Sequence, residues 1–204
     1  MKHIKWRILI VTCLACLVPC VFGIFLYDSM PDVMAIHFNL RNEPDNFASK
    51  EVVLFLLPLL MAVMQAFMCV ITDIFDKKHG EGKAVTVAKW LVPIITAGVW
   101  VITILFSKGT VTDIRRPIVF LLGFVYIIVG NYLPKLDYVK NYKFDTDTAR
   151  RINRFSGFGF VIFGLLFLIS AFLPTVVSVV CLVLFVVFII VYVFYVTIEA
   201  RKSK

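Results

Sequence analysis

Six apolar runs, each of roughly 20 residues, divide this chain and fix its fold class before any single side chain is considered. Crossing about 30 Å of hydrocarbon at about 1.5 Å per residue takes about 20 residues, and a helix hides its backbone polar groups from lipid while it does so. The runs extend from Ile8 to Tyr27, Val52 to Phe75, Val87 to Phe106, Pro117 to Leu133, Gly157 to Leu173 and Thr175 to Ile198. Only 17% of the residues are charged, against about 25% in soluble domains, and 61% are hydrophobic. The expectation is an all-α integral membrane protein with six transmembrane helices. Residues 1–75 form an N-terminal membrane domain whose loop 28–51 is a short ordered extracytoplasmic cap; residues 76–204 form a second membrane region with a basic cytoplasmic loop at 134–156.

Orientation follows from the 21 lysines and arginines, because basic residues near span ends are retained in the cytoplasm. The N-terminus (Lys2, Lys5, Arg7), the second connection (Lys77, Lys78, Lys83, Lys89), the fourth (Lys135, Lys140, Lys143, Arg150, Arg151, Arg154) and the tail (Arg201, Lys202, Lys204) hold sixteen of them. The opposite side holds five, so both termini are expected inside, in a multi-pass membrane protein. This placement accounts for the net charge of +8 by contact with anionic lipid headgroups and leaves no call for nucleic acid. The first run continues to Tyr27 without a small-residue cleavage pattern and is expected to stay as a helix, kinked at Pro19. Trp90, Tyr27, Tyr132 and Tyr195 stand near span ends as an aromatic belt, whereas Trp100 and Tyr126 lie deeper, packed between helices.

Candidate chemistry is sparse. His3, His37 and His79 form no H-E-x-x-H pair, and there is neither a G-x-S-x-G elbow nor a phosphate-cradling glycine loop, so no enzyme and no cofactor is expected. Cys13-x-x-Cys16 has the spacing of a metal or redox pair; the competing reading treats Cys13, Cys16, Cys20, Cys69 and Cys181 as small apolar side chains. Intramembrane polar groups are few: Gln65 at mid-depth, Asp73 within reach of the interface and Asn131 at the end of the fourth span. A small-molecule transporter, the alternative function, requires these three to line one polar cavity, with Pro58 and Pro93 interrupting its helices.

The segment Met30 to Lys50 is the specific part. Pro31 and Pro44 restrict the backbone, Asn39, Asn42, Asp45 and Asn46 close turns, and Ala35 to Asn39 reads as extended. His37 with Asp28, Asp32, Glu43 and Asp45 has two readings, a metal cluster or a histidine that pins the loop. Five acidic residues (Asp28, Asp32, Glu43, Asp45, Glu51) against Arg41 and Lys50 give this cap a net charge of −3, which suits either a cationic peptide or a merely solvated surface.

Pro31, His37-Phe38-Asn39, Glu43-Pro44-Asp45 and Ser49-Lys50, leading into a span that contains Pro58, resemble the N-terminal domain that precedes the SdpI region in bacterial SdpI-family immunity proteins. Gly130-Asn131-Tyr132-Leu133-Pro134-Lys135, followed by Asn153-Arg154-Phe155-Ser156-Gly157, is similar to the G-N-x-x-P-K and N/H-R-x-x-G elements of that family's C-terminal region. The chain departs from the family in having Asn42 where glycine is usual, and in lacking the G-I-R-T-x-W stretch, where Asn141 to Thr148 stands instead. A helix from Asp147 to Phe155, capped by Asp145 or Asp147, is expected to enter the fifth span. The resemblance implies immunity against a secreted membrane-active peptide toxin. It places toxin recognition on Pro31, His37, Phe38, Asn39, Glu43, Pro44, Asp45 and Lys50. The cytoplasmic motif would comprise Gly130, Asn131, Pro134, Lys135, Asn153, Arg154 and Gly157. It also implies signalling through a small cytosolic repressor; an envelope-stress component without a cognate toxin is compatible with the same residues.

Overall fold

The computed structural model describes residues 4–75, 83–135 and 146–202. Among the described residues six helices are long and apolar enough to cross a membrane, and the chain is a multi-pass membrane protein. Two compact units divide it, Met1–Ile118 and Val119–Lys204. Within the first unit the third span packs with the first two.

In the first unit, α1 (Trp6–Leu26) is followed by a 3-10 turn and an antiparallel hairpin, β1 (Val33–Phe38) and β2 (Pro44–Ser49). A π-helical stretch, Val52–Leu56, leads into α2 (Leu57–Phe75), and α3 (Lys83–Ser107) completes the unit. The chain is predominantly helical, consistent with an all-α membrane protein, and the 33–38 strand of this small two-stranded element covers most of the stretch read as extended. A bulge between Ala35 and His37 breaks the alternation of faces: Met34 and Ala35 are both buried while Ile36 is exposed. Met34 is the plug. It packs with Met30, Val53, Leu54, Trp100 and Ile104, joining the hairpin to α2 and α3.

Small residues let α1 approach its neighbours. Thr12, Cys16, Pro19 and Gly23 are its buried positions, and a Cβ on Gly23 would lie 3.1 Å from Leu54 Cβ. The five cysteines are free thiols, and no cluster of metal-ligating side chains occurs among the described residues. Cys13 and Cys20 instead point their thiols at Ala62 O of α2 and Phe55 O of the π-helical stretch before it.

The second unit contains α4 (Arg115–Tyr132, its first residues lying in the first unit), α5 (Thr146–Ser170) and α6 (Thr175–Lys202). α5 begins one residue before the helix expected from Asp147, and that basic amphipathic stretch runs without a break into the apolar run from Gly157. Tyr126 stacks on Phe185 and meets Phe160 and Phe167 edge-on, so the core of this unit is aromatic.

Candidate functional site

His37, Phe38, Asn39 and Asn42 each have a neighbour that explains their position. His37 Nδ1 lies 2.5 Å from Asp45 Oδ1 across the strands. Asn39 organises the turn: its Oδ1 accepts from the N–H groups of Arg41 (2.8 Å) and Glu43 (3.1 Å), while its Nδ2 donates to Glu43 Oε2 (3.0 Å). Asn42 sits at φ 65°, the left-handed conformation that Asn tolerates better than other side chains. Phe38 packs edge-on against Phe106 of α3, with ring centroids 4.7 Å apart. Pro31 and Pro44 are exposed, Pro31 preceding β1 and Pro44 opening β2.

The base of the hairpin is ionic. Lys50 reaches Asp32 at 2.8 Å and lies over the Tyr27 ring, and the Tyr27 hydroxyl donates to Glu51 at 2.5 Å. That hydrogen bond holds the Glu51 carboxyl at about 2, well under its ordinary value, and the Asp32 carboxylate raises Lys50.

Asn42 also ties the hairpin to the connection between α3 and α4. Its Nδ2 donates to Thr112 O at 3.3 Å, and its Oδ1 accepts from Arg115 N–H at 3.2 Å, capping the first turn of α4 from a distant part of the chain. Asn42→Ala is expected to cost about 1–2 kcal/mol, since it removes a cap and leaves a Cβ at positive φ. Asn42→Gly should recover only the backbone part of that loss. Thermal unfolding in detergent, followed by intrinsic fluorescence, measures both.

A second polar constellation lies at the other end of the unit, where α1, α2 and α3 meet. Asp73 Oδ1 accepts from Lys89 Nζ at 2.5 Å, and Oδ2 accepts from the backbone N–H of Lys5 at 3.0 Å. The Lys89 and Asp73 side chains are 2% and 1% exposed, which corrects two expectations. Lys89 belongs inside the bundle rather than in the second connection, and Asp73 is enclosed rather than turned to the interface. Mutual pairing and the added N–H offset the desolvation that keeps isolated charges out of spans.

Mid-depth, Gln65 Nε2 lies 2.7 Å from Lys89 O, 2.9 Å from Thr12 Oγ1 and 3.2 Å from Cys69 Sγ. Lys89 O is available because Pro93, four residues on, has no N–H to offer it. Gln65 and Asp73 thus hold helices together within the first unit, and Asn131 is exposed on α4.

The two elements of the C-terminal motif meet. A Cβ on Gly130 would fall 2.6 Å from Gly157 O, and one on Gly157 would fall 2.8 Å from Gly130 O and 2.5 Å from Pro134 Cγ. Gly123 and Gly164 repeat the contact two turns away, with Gly164 O 2.9 Å from a Cβ at 123. Asn153 is buried one turn before Gly157, whereas Asn131, Lys135 and Arg154 are exposed, Lys135 lying over the Tyr132 ring. Matched glycine spacing on α4 and α5 is a sequence signal for this seam that a motif reading passes over. The rest of the basic loop, residues 136–145, lies outside the described residues.

Six apolar helices with a folded hairpin between the first two define a membrane protein built around a polar connection. Residues 14–62, from mid-α1 through the hairpin into α2, match the family model of DUF1648, a domain of unknown function that is membrane-associated and often precedes an SdpI region. No SdpI-family match accompanies it. Neither a curated protein nor a solved structure matches the chain.

Proposed function

We propose that this protein is an SdpI-type immunity protein of a bacterial plasma membrane, with both termini cytoplasmic and the hairpin outside, where it recognises a cationic membrane-active peptide. One observation carries the reading. On an ordered support, the hairpin and its base expose Asp28, Asp32 and Glu43 beside Val33, Leu40 (77% exposed) and Phe47, and negative charge next to uncovered apolar groups complements a cationic amphipathic peptide. The DUF1648 match over 14–62 and the C-terminal motif elements support the same reading. Because His37, Asn39, Glu43 and Asp45 also build the hairpin, recognition is best tested at side chains that do not: Leu40, Phe47 and Asp28.

The experiment is survival of a sensitive bacterial host that carries the protein and is challenged with a panel of secreted cationic peptides. For the peptide against which protection is seen, Leu40→Ser/Phe47→Ser is expected to reduce protection by roughly tenfold or more, as removal of central apolar anchors does, with membrane levels unchanged. Asp28→Lys should act in the same direction. Full protection by both variants removes the hairpin as the recognition surface. A companion reading assigns the exposed cytoplasmic groups Asn131, Lys135 and Arg154 to contact with a small cytosolic repressor.

A further inference from the structure

A cavity of about 320 Å³ opens between α2 and α3 beneath the hairpin. Its volume is that of a small-molecule site, which typically measures about 300–1,000 Å³. Ile36 roofs it, Leu57, Pro58 and Met61 line the α2 side, and Val99 and Trp100 the α3 side. The two threonines in its wall add almost no polarity, because Thr96 donates to Val92 O and Thr103 to Val99 O on their own helix. An apolar chamber of this kind does not hold water well. Leu57 and Val99 are each 40% exposed, so the chamber opens on the apolar outer surface of the helices and is not sealed in the core.

One polar atom in the wall is unspent. Trp100 is 8% exposed, and its Nε1–H finds no acceptor among the described residues. A buried donor without a partner costs on the order of 1–3 kcal/mol, and indole N–H groups are normally satisfied when buried. Trp100 stands seven residues, about 10 Å, from the hairpin end of α3, in the upper part of the apolar zone. An occupant therefore needs a slender hydrocarbon body and one acceptor near its polar end.

We propose that this cavity binds the acyl chain of a membrane lipid, whose ester carbonyl accepts the Trp100 Nε1–H. The chain enters sideways past Leu57 and Val99 and lies along Pro58 and Met61. Bulk lipid surrounding the helices does not meet Trp100, because that side chain is enclosed.

The test uses the full chain with Trp6→Phe and Trp90→Phe, which leaves Trp100 as the sole indole, reconstituted in phosphatidylcholine vesicles whose acyl chains are brominated part-way along. Bromine quenches indole fluorescence only at contact. Trp100 emission is expected to fall by about twofold or more relative to unbrominated vesicles, since a site of this kind encloses most of its ligand. Filling the cavity from either wall, by Val99→Phe or by Met61→Phe, should abolish the difference; two variants guard against one that misfolds, and elution as a single species shows which is intact. Absence of quenching in the parent, or equal quenching in an intact filled variant, overturns the proposal. Ether-linked brominated lipid lacks the carbonyl and should quench less than its ester counterpart, and equal quenching by the two removes the hydrogen bond from the assignment.

Discussion

Gly157→Val is expected to abolish the native packing of α5 on α4. The added Cβ lands on Pro134 Cγ at 2.5 Å and on Gly130 O at 2.8 Å, and one of those is backbone that no rotamer change moves aside. Overpacking ordinarily costs about 1–3 kcal/mol, and here it acts on two helix backbones at once, so a loss of about 3 kcal/mol is the expected scale. In lipid no hydrophobic force between helices makes up the difference, because acyl chains are as apolar as leucine; close backbone contact and Cα–H···O pairs carry the association. Gly130→Val should behave alike. Gly109→Ala meets nothing within 4 Å and bears only the strain of its positive φ, so it is the milder control. Unfolding by a denaturing detergent, read as loss of aromatic near-ultraviolet signal from the Tyr126 stack, distinguishes the three.

The second large effect belongs to the Asp73–Lys89 pair. Asp73→Ala leaves an ammonium enclosed without its counter-ion, and Lys89→Ala leaves a carboxylate that keeps only the Lys5 N–H; each single change is expected to destabilise the first unit by about 3–5 kcal/mol. Removing both charges at once, as Asp73→Leu/Lys89→Leu, should cost far less than the sum, because neither residue then has a desolvated charge to leave behind. A four-way comparison of detergent-unfolding midpoints checks this. Additive losses would mean that each side chain acts through packing alone.

The six spans were legible because periodic demands of lipid act on whole segments, and their count survives local misreadings. The turn at Asn42, which stands where glycine is usual, was legible for a similar reason, since one backbone conformation narrows the residue choice. Lys89 was not. A lysine one turn into an apolar run reads as a cytoplasmic flank, and only its partner, sixteen positions earlier on another helix, reverses that reading. The start of α5 was legible in another way, since the basic amphipathic stretch from Asp147 reads as a helix running into the apolar run even though hydropathy alone marks only where apolar character begins. At the hairpin, the residue types chosen as recognition candidates were the very ones whose short polar side chains close turns, and the bulge that exposes Ile36 leaves no mark in composition. What sequence alone does not separate at His37, Asn39, Glu43 and Asp45 is a side chain that builds a surface from one that meets a visitor.

The carbonyl that Pro93 leaves unclaimed, and the amide of Gln65 that claims it, join two positions on different helices into one inherited choice. An alanine at 93 would let α3 close its own ladder and leave the glutamine only Thr12 and Cys69; a leucine at 65 would strand the carbonyl. Among descendants of this chain, the two sites are therefore expected to drift together, and a lineage that loses the proline should be found to have surrendered the glutamine as well.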